Sequence, residues 1–249
     1  MQAVRAPVVA GSFYPREPVQ LRTTVARLFA EAREGPRPKA LIAPHAGYIY
    51  SGPVAASAFR RVVEAPIFRV VLLGPSHFAV LHGVALPAAE AMRTPLGDVP
   101  VEDLPIARNP RAHVEEHSLE VELPFLQVAL RSFTLVPLAV GDAPPEDVAA
   151  VLEQLWGGEE TLIVISSDLS HYLPYADAQR MDAATAKEIL ALGRLLPDDA
   201  CGAAPVNGLL LAAKHRGLRP ELIELRNSGD TSGDKDRVVG YGAFAFYER

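Results

Sequence analysis

Short apolar runs alternate with longer amphipathic segments along most of the chain. The apolar runs are Ala40–Ala43, 70–73, Thr134–Val140, Thr161–Ser166, 222–225 and Val238–Tyr247. The spacing of apolar residues predicts helices at 18–33, 54–64, 119–131, 146–156, 176–192 and 206–215. Runs that are apolar nearly throughout are typical of strands covered on both faces. The alternation therefore predicts an α/β domain whose central, largely parallel sheet lies between helices.

One stretch interrupts the alternation. Residues 86–109 contain four prolines and mixed charge, which predicts an excursion of short antiparallel strands or loop. Neither this stretch nor any other has the composition of a flexible linker between domains. We therefore expect residues 1–249 to form a single domain.

Composition narrows the range of partners. The 249 residues include 24 basic and 30 acidic side chains, a formal charge of −6 without any long basic run, so we expect no binding to nucleic acid. The single cysteine, Cys201, excludes an intrachain disulfide and a zinc site built from several thiolates. The apolar runs are too short to span a membrane, and the first seven residues lack the apolar core of a signal peptide. We expect a cytoplasmic protein with no membrane partner.

Polar residues directly follow the apolar runs, at the edge where open α/β sheets bind ligands. His45, His77 and His171 follow the first, second and fourth runs, and Asp168 lies close to His171. The fifth run is followed by a loop rich in Gly, Asp, Ser and Thr at 227–234. Neutral imidazoles with a carboxylate are the ligands of catalytic zinc and of non-haem iron. The pattern favours a metal site over three unrelated turn histidines.

His117 and Cys201 each leave two interpretations open. His117 lies at the start of a predicted helix and is either held by local hydrogen bonds or acts over the site as a proton donor or substrate contact. Cys201 precedes another predicted helix and is either a small buried residue or an activated thiolate. His113 and His117 also match the H-x-x-E-H pattern of inverted zinc peptidases, which requires both histidines on one helix. The sequence lacks a Walker A loop and a G-x-S-x-G motif, which disfavours NTPases and α/β-hydrolases.

Six segments together resemble the MEMO family, in the family's order and over nearly the whole chain. They are VAGSFYP at 9–15, APHAGY at 43–48, GPSH at 74–77, EHS at 116–118, SSDLSH at 166–171 and CGAAP at 201–205. The resemblance implies a three-layer α/β/α fold similar to that of class III extradiol ring-cleavage dioxygenases. Those enzymes hold Fe(II) with two histidines and a glutamate. By the matching motifs, His45 and His77 are the implied metal ligands, and His171, with Asp168 beside it, is the implied acid/base.

The third metal ligand is where the chain departs from the family pattern. Residues 227–234 contain neither the glutamate of the dioxygenases nor the cysteine of some family members. Thr231 stands at the position of that cysteine, and Asp230 or Asp234 is the available substitute. The implied cofactor is a divalent metal, Fe(II) first, with copper or zinc as alternatives.

Three functions follow from these expectations. The first is a metal-dependent redox enzyme, and the second is a hydrolase that uses metal-bound water. The third is a scaffold without chemistry, which binds a small molecule or peptide between walls formed by Tyr48, Phe78 and Tyr172. Prokaryotic family members resemble a component encoded with AMMECR-type and radical SAM proteins, which implies these as partners. The remaining histidines are expected to be structural or surface residues; they are His82, His113 and His215.

Overall fold

The structure is a computed structural model that describes residues 3–248. Its strands are β1 Val4–Arg5, β2 Ala40–Ala43, β3 Arg69–Pro75, β4 Val84–Ala85, β5 Ala91–Thr94, β6 Gly97–Pro100, β7 Thr134–Val140, β8 Thr161–Ser166, β9 His171–Leu173, β10 Arg219–Asn227 and β11 Val238–Tyr247. Strands β2, β7, β8 and β11 have the predicted bounds. The predicted runs 70–73 and 222–225 lie inside the longer strands β3 and β10.

The main sheet is mixed, with a parallel centre. Within residues 3–248 it has eight strands, seven of them in the order β10-β11-β2-β8-β3-β7-β4, and β9 pairs with β11. The pairs β2–β8, β8–β3 and β3–β7 are parallel, whereas the flanking strands β10, β11 and β4 run antiparallel to their neighbours. Because β2, β3 and β8 are parallel, the segments that follow them meet at one edge of the sheet.

Helices cover both faces of this sheet, as the fully apolar strands predicted. The helices are α1 Pro18–Glu31, α2 Tyr48–Phe59, α3 Arg111–Val114, α4 Leu123–Ala129, α5 Pro145–Leu155, α6 Tyr175–Leu190, α7 Ala203–Arg216 and α8 Gly229–Ser232. In β2, Leu41 and Ala43 pack into a core with α1, α2 and α4. Ala40 and Ile42 point the other way, into a core with α5, α6 and α7. The three-layer α/β/α fold class is therefore confirmed.

Two of the predicted helices begin four or more residues from the predicted start. Helix α2 begins at Tyr48 instead of residue 54, and Pro53 lies inside it. Its buried face, which includes Ala55 and Ala56, packs against the sheet and compensates for the hydrogen bond that proline cannot donate. Helix α4 begins at Leu123 instead of residue 119, because Pro124 is suited to the first turn of a helix.

The proline-rich excursion is also confirmed. Strands β5 and β6 form an antiparallel hairpin within residues 86–109, and β1 joins it in parallel to complete a second, three-stranded sheet. No helix in residues 3–248 has the length and apolar character needed to cross a membrane. That residues 1–249 form one domain stays a prediction.

Candidate metal centre

Three imidazole rings meet at the carboxyl edge of the parallel strands. His45 follows β2, His77 follows β3, and His117 lies in the loop between α3 and α4. One ring nitrogen from each lies within 4.8 Å of the others. The ring centroids of His77 and His117 are 5.0 Å apart, and those of His45 are 5.3 and 5.5 Å from them. These three histidines are the group placed to share one metal ion in the described part of the chain.

A buried carboxylate holds His77 at two points. Glu116, which is 2% exposed, accepts hydrogen bonds from the backbone N–H of His77 at 2.6 Å and from its ring Nδ1 at 2.9 Å. It also accepts a bond from the backbone N–H of Ser118. Burial alone would raise the pKa of Glu116, but the hydrogen bonds from His77 and Ser118 outweigh it and lower that pKa to about 2. With Nδ1 donating to this carboxylate, Nε2 of His77 carries the lone pair that a metal requires.

The ring of His45 is oriented through a serine. His45 Nδ1 lies 2.7 Å from Ser166 Oγ, which in turn lies 2.7 Å from the carbonyl oxygen of Ser118 and 2.8 Å from Oε1 of Glu122. Burial raises the pKa of Glu122 well above its usual value, which favours the protonated carboxyl beside Ser166. Ser166 then donates to the Ser118 carbonyl and accepts from His45 Nδ1–H. Nε2 of His45 is left as the free lone pair.

The protonation states suit a metal ion. Burial, together with the neighbouring imidazoles, lowers the pKa of His45 well below its usual value and also lowers the pKa of His117. Both rings are therefore neutral near neutral pH, as metal ligands must be. The Phe13 ring packs on His117, with centroids 4.9 Å apart. Three imidazoles, two of them fixed through Nδ1, are a donor set that zinc, iron and copper all accept.

The chain is similar in sequence to known proteins over nearly its whole length. A family model described as Memo-like protein matches residues 5–245. A MEMO1 family protein of Aquifex aeolicus is 38% identical, with 98% of this chain and 99% of that protein covered. A MEMO1 family protein of Sulfolobus acidocaldarius is 34% identical, again with 98% of this chain and 99% of that protein covered. The chain belongs to the Memo family.

Two further side chains of this Memo-family chain lie against the histidines. Asp168 accepts a hydrogen bond from the backbone N–H of His45 at 2.9 Å, and its Oδ2 lies 4.0 Å from His45 Nε2. Burial raises the pKa of Asp168 to about 7. Cys201 Sγ lies 3.4 Å from His45 Nε2 and accepts from the backbone N–H of Asp168. Burial raises the pKa of Cys201 to about 12, which favours the buried, protonated interpretation over an activated thiolate.

His171 faces the same cleft but lies outside the three-histidine group. It begins β9, and its Nδ1 donates to the carbonyl oxygen of Leu169 at 2.8 Å. Burial lowers the pKa of His171, so its Nε2 is a neutral proton acceptor in the cleft. His171 and Asp168, predicted as an acid/base pair, thus line one cavity.

The predicted third ligands, Asp230 and Thr231, are not brought to this group. Asp230 accepts hydrogen bonds from the Tyr175 hydroxyl and the backbone N–H of Asn227. The Thr231 hydroxyl donates to the carbonyl oxygen of Ser228. Asp230 thus links α8 to α6 and to the end of β10, Thr231 bonds within its own turn, and His117 is the third member of the group. In the described part of the chain neither Asp230 nor Thr231 belongs to the group that could share a metal ion, and their assignment as ligands stays a prediction. Asp234 lines the cleft without joining the group.

The zinc-peptidase pattern is contradicted by the position of its histidines. Helix α3 ends at Val114, so His113 and His117 do not share a helix. His113 is buried, and its Nε2 bonds to the carbonyl oxygen of Ala85. His113 is therefore structural, as expected. His82 and His215 are exposed surface residues.

A cleft of about 820 Å³ opens above the histidines. Its walls include Phe13, Ile49, Tyr50 and Tyr172, of which only Tyr172 was predicted as a wall. The other two predicted walls do not line this cleft, although the Phe78 ring packs edge-on against His117 with centroids 5.7 Å apart. The Tyr48 side chain is buried and donates to the Val121 carbonyl. Phe78 lines a neighbouring cavity.

Sequence reasoning missed the two carboxyl groups that orient the ligands. Glu116 carried a signal, because it directly precedes His117 in the EHS motif. Glu122 carried none, because its role depends on its burial against a strand from another part of the chain. A third buried acid, Glu120, was missed as well. It pairs with Arg5, accepts from the backbone N–H groups of two residues in the segment after β1, and fixes the loop that carries His117.

Proposed function

We propose that this Memo-family chain is a metal-dependent redox enzyme whose ion is held by His45, His77 and His117. The observation that carries the proposal is the fixing of two ligand rings through Nδ1, one of them by a buried carboxylate. A hydrogen bond from the ring nitrogen that does not face the metal is typical of metal-ligating histidines. Fe(II) held by these residues, with copper as the alternative, would supply one-electron chemistry to a substrate in the cleft.

The chain's own residues supply the remaining parts of the chemistry. The neutral Nε2 of His171 accepts a proton from a substrate hydroxyl in the cleft. Asp168 fixes the loop of His45 by accepting a hydrogen bond from the backbone N–H of His45. The aromatic walls cover the apolar part of a substrate and exclude water from the reacting end. A role together with AMMECR-type and radical SAM proteins is part of this proposal, on the basis of the family resemblance.

A second candidate is a zinc-dependent hydrolase. The observation that favours it is the donor set, because three neutral imidazoles without a carboxylate are also the ligands of catalytic zinc. Zinc at this site would lower the pKa of a bound water toward neutrality. The two candidates share the three histidines and differ in the metal.

The decisive experiment measures the metal itself. The untagged protein is purified without oxygen, and its metals are quantified by mass spectrometry beside His45→Ala/His77→Ala. The matched control is His82→Ala/His215→Ala, which removes two exposed histidines that do not belong to the group. Near-stoichiometric iron or copper that is lost only in the first variant supports the redox proposal, and oxygen uptake is then tested with catechol-like compounds. Bound zinc favours the hydrolase. No metal after reconstitution refutes both and favours the binding scaffold.

A further inference from the structure

The mouth of the cleft carries a cation that the metal chemistry does not use. Arg237 lies just before β11 and lines the cleft, and its side chain is exposed. Its guanidinium carbon lies 5.0 Å from the centre of the Tyr172 ring, so the group is held over an aromatic face. Within residues 3–248 Arg237 forms no salt bridge with an Asp or Glu. A positioned cation with uncommitted donors therefore stands at the entrance.

The aromatic partner of Arg237 is held in an unusual backbone conformation. Tyr172 has a φ of 60°, which bulky residues rarely adopt. The flanking residues of β9 impose it, because His171 and Leu173 pair with successive residues of β11 across a register irregularity. The result is a tyrosine ring that is 62% exposed at the cleft. Imposed backbone strain of this kind is concentrated at ligand-binding sites.

Apolar and aromatic side chains form much of the mouth beside Arg237. Ile49 is 76% exposed, and Tyr50 and Phe13 lie along the same cleft. Exposed apolar and aromatic side chains around a concave site suit a flat apolar ligand. One acidic residue, Asp234, also lines the mouth. A single arginine in a cleft that also contains the Asp234 carboxylate suits an anion with one negative charge better than one with two, because each added negative charge is repelled by that carboxylate.

We propose that the cleft binds an aromatic carboxylate, with Arg237 pairing with the carboxylate and Tyr172 stacking on the ring. Arginine presents parallel N–H donors that match a carboxylate, and its contact with Tyr172 keeps them in place. The inference rests on the proposed function in one respect, that the cleft is where the substrate binds. It does not require that a metal is bound.

The test uses two dyes that differ in one charged group. Anilinonaphthalene sulfonate is a monoanion with a flat apolar body, and phenyl naphthylamine is the same fluorophore without the sulfonate. Both are titrated by fluorescence into the wild type, Arg237→Gln, Arg237→Lys and Arg219→Gln. Arg219 is the matched control, because it stacks on Tyr247 at 4.7 Å in the same way but does not line the cleft.

The expected result is that Arg237→Gln lowers the affinity for the sulfonate dye by about tenfold, the size of a lost charge-assisted hydrogen bond. The affinity for the neutral dye should not change. Arg237→Lys should recover part of the loss, and Arg219→Gln should behave as the wild type. Benzoate should displace the sulfonate dye from the wild type better than phenyl phosphate does. Equal effects of the two Gln variants, or no preference for the sulfonate dye in the wild type, would overturn the inference. A preference for phenyl phosphate would overturn the assignment to a carboxylate.

The same titration separates this inference from the proposed function. His45→Ala/His77→Ala removes the metal ligands and leaves Arg237 in place. If that variant still prefers the sulfonate dye while the wild type binds no metal, the anion site stands and the metal proposal fails. If the wild type binds iron but Arg237→Gln has no effect on either dye, the metal proposal stands and this inference fails.

Discussion

Replacement of Glu116 by glutamine tests whether the buried carboxylate creates the metal site. Because the pKa of Glu116 lies near 2, the group is ionised at any pH at which the protein is handled. Glu116→Gln therefore removes a full negative charge next to His77. It also replaces one of two acceptor oxygens with an NH₂ group. One of the two donors of His77, its backbone N–H or its ring Nδ1–H, would then face another donor.

The expected loss is a factor of about 10 to 100 in metal affinity, the range observed when a group that supports a ligand is replaced. This corresponds to about 1.4 to 2.7 kcal/mol. The upper part of the range is expected here, because Glu116 holds His77 at two points and is 2% exposed.

The assay is a competition between the apo-protein and a fluorescent chelator for Zn²⁺, Fe²⁺ or Cu⁺. The matched control is Glu122→Gln, which replaces another buried acid. Because the raised pKa of Glu122 favours its neutral form, the amide of the variant removes no charge and retains a hydrogen-bonding group beside Ser166. We expect the metal affinity of the Glu122→Gln control to lie within about threefold of that of the wild type. If the metal affinity of Glu116→Gln also lies within about threefold of that of the wild type, the Glu116 carboxylate does not support the metal ligand and the reasoning is wrong.

Three further predictions concern stability. Because burial raises the pKa of Glu122 above its usual 4.5, the folded protein keeps a proton that the unfolded chain loses at pH values between 4.5 and the raised pKa. Within this interval the free energy of unfolding should fall by about 1.4 kcal/mol per pH unit, and chemical denaturation at several pH values should show that Glu122→Gln removes this slope. Arg5→Met should cost about 3 to 5 kcal/mol by leaving Glu120 buried and unpaired, and the double variant with Glu120→Gln should recover much of the loss in urea titrations. Gly202→Ala should lower the melting temperature, because the new methyl would lie 2.6 Å from the Cβ of Ser167, whereas an unchanged melting temperature would show that the loop shifts freely.

The sequence predicted those parts of the fold that depend on local pattern. Strands β2 and β8 were found with their bounds, because a strand covered on both faces is an uninterrupted apolar run. The start of α2 was missed, because Pro53 is a local signal against a helix and the packing that overrides it is not local. Such packing is visible only once the layers are assembled.

The candidate site likewise contains residues that local pattern predicts and residues whose positions depend on contacts between distant parts of the chain. His45 and His77 were found because each directly follows a strand, which fixes its place at the sheet edge. His117 was left between two interpretations, because it follows no strand and reaches the others through the loop held by Glu120. Thr231 was assigned by its spacing from β11, and spacing does not show that its hydroxyl donates within its own short helix.

The position of β11 in the main sheet has a consequence for folding kinetics. Its pairing with β2 joins Phe246 to Ala40, two residues separated by most of the chain. Until this pairing forms, β2 has an open edge of unpaired backbone groups and an apolar face. Contacts of such high sequence separation form slowly, because a large loop must close before they contribute. Partly folded molecules with β2 uncovered are therefore the expected source of aggregation, and shortening the interval before β11 docks is the expected means to raise the refolding yield.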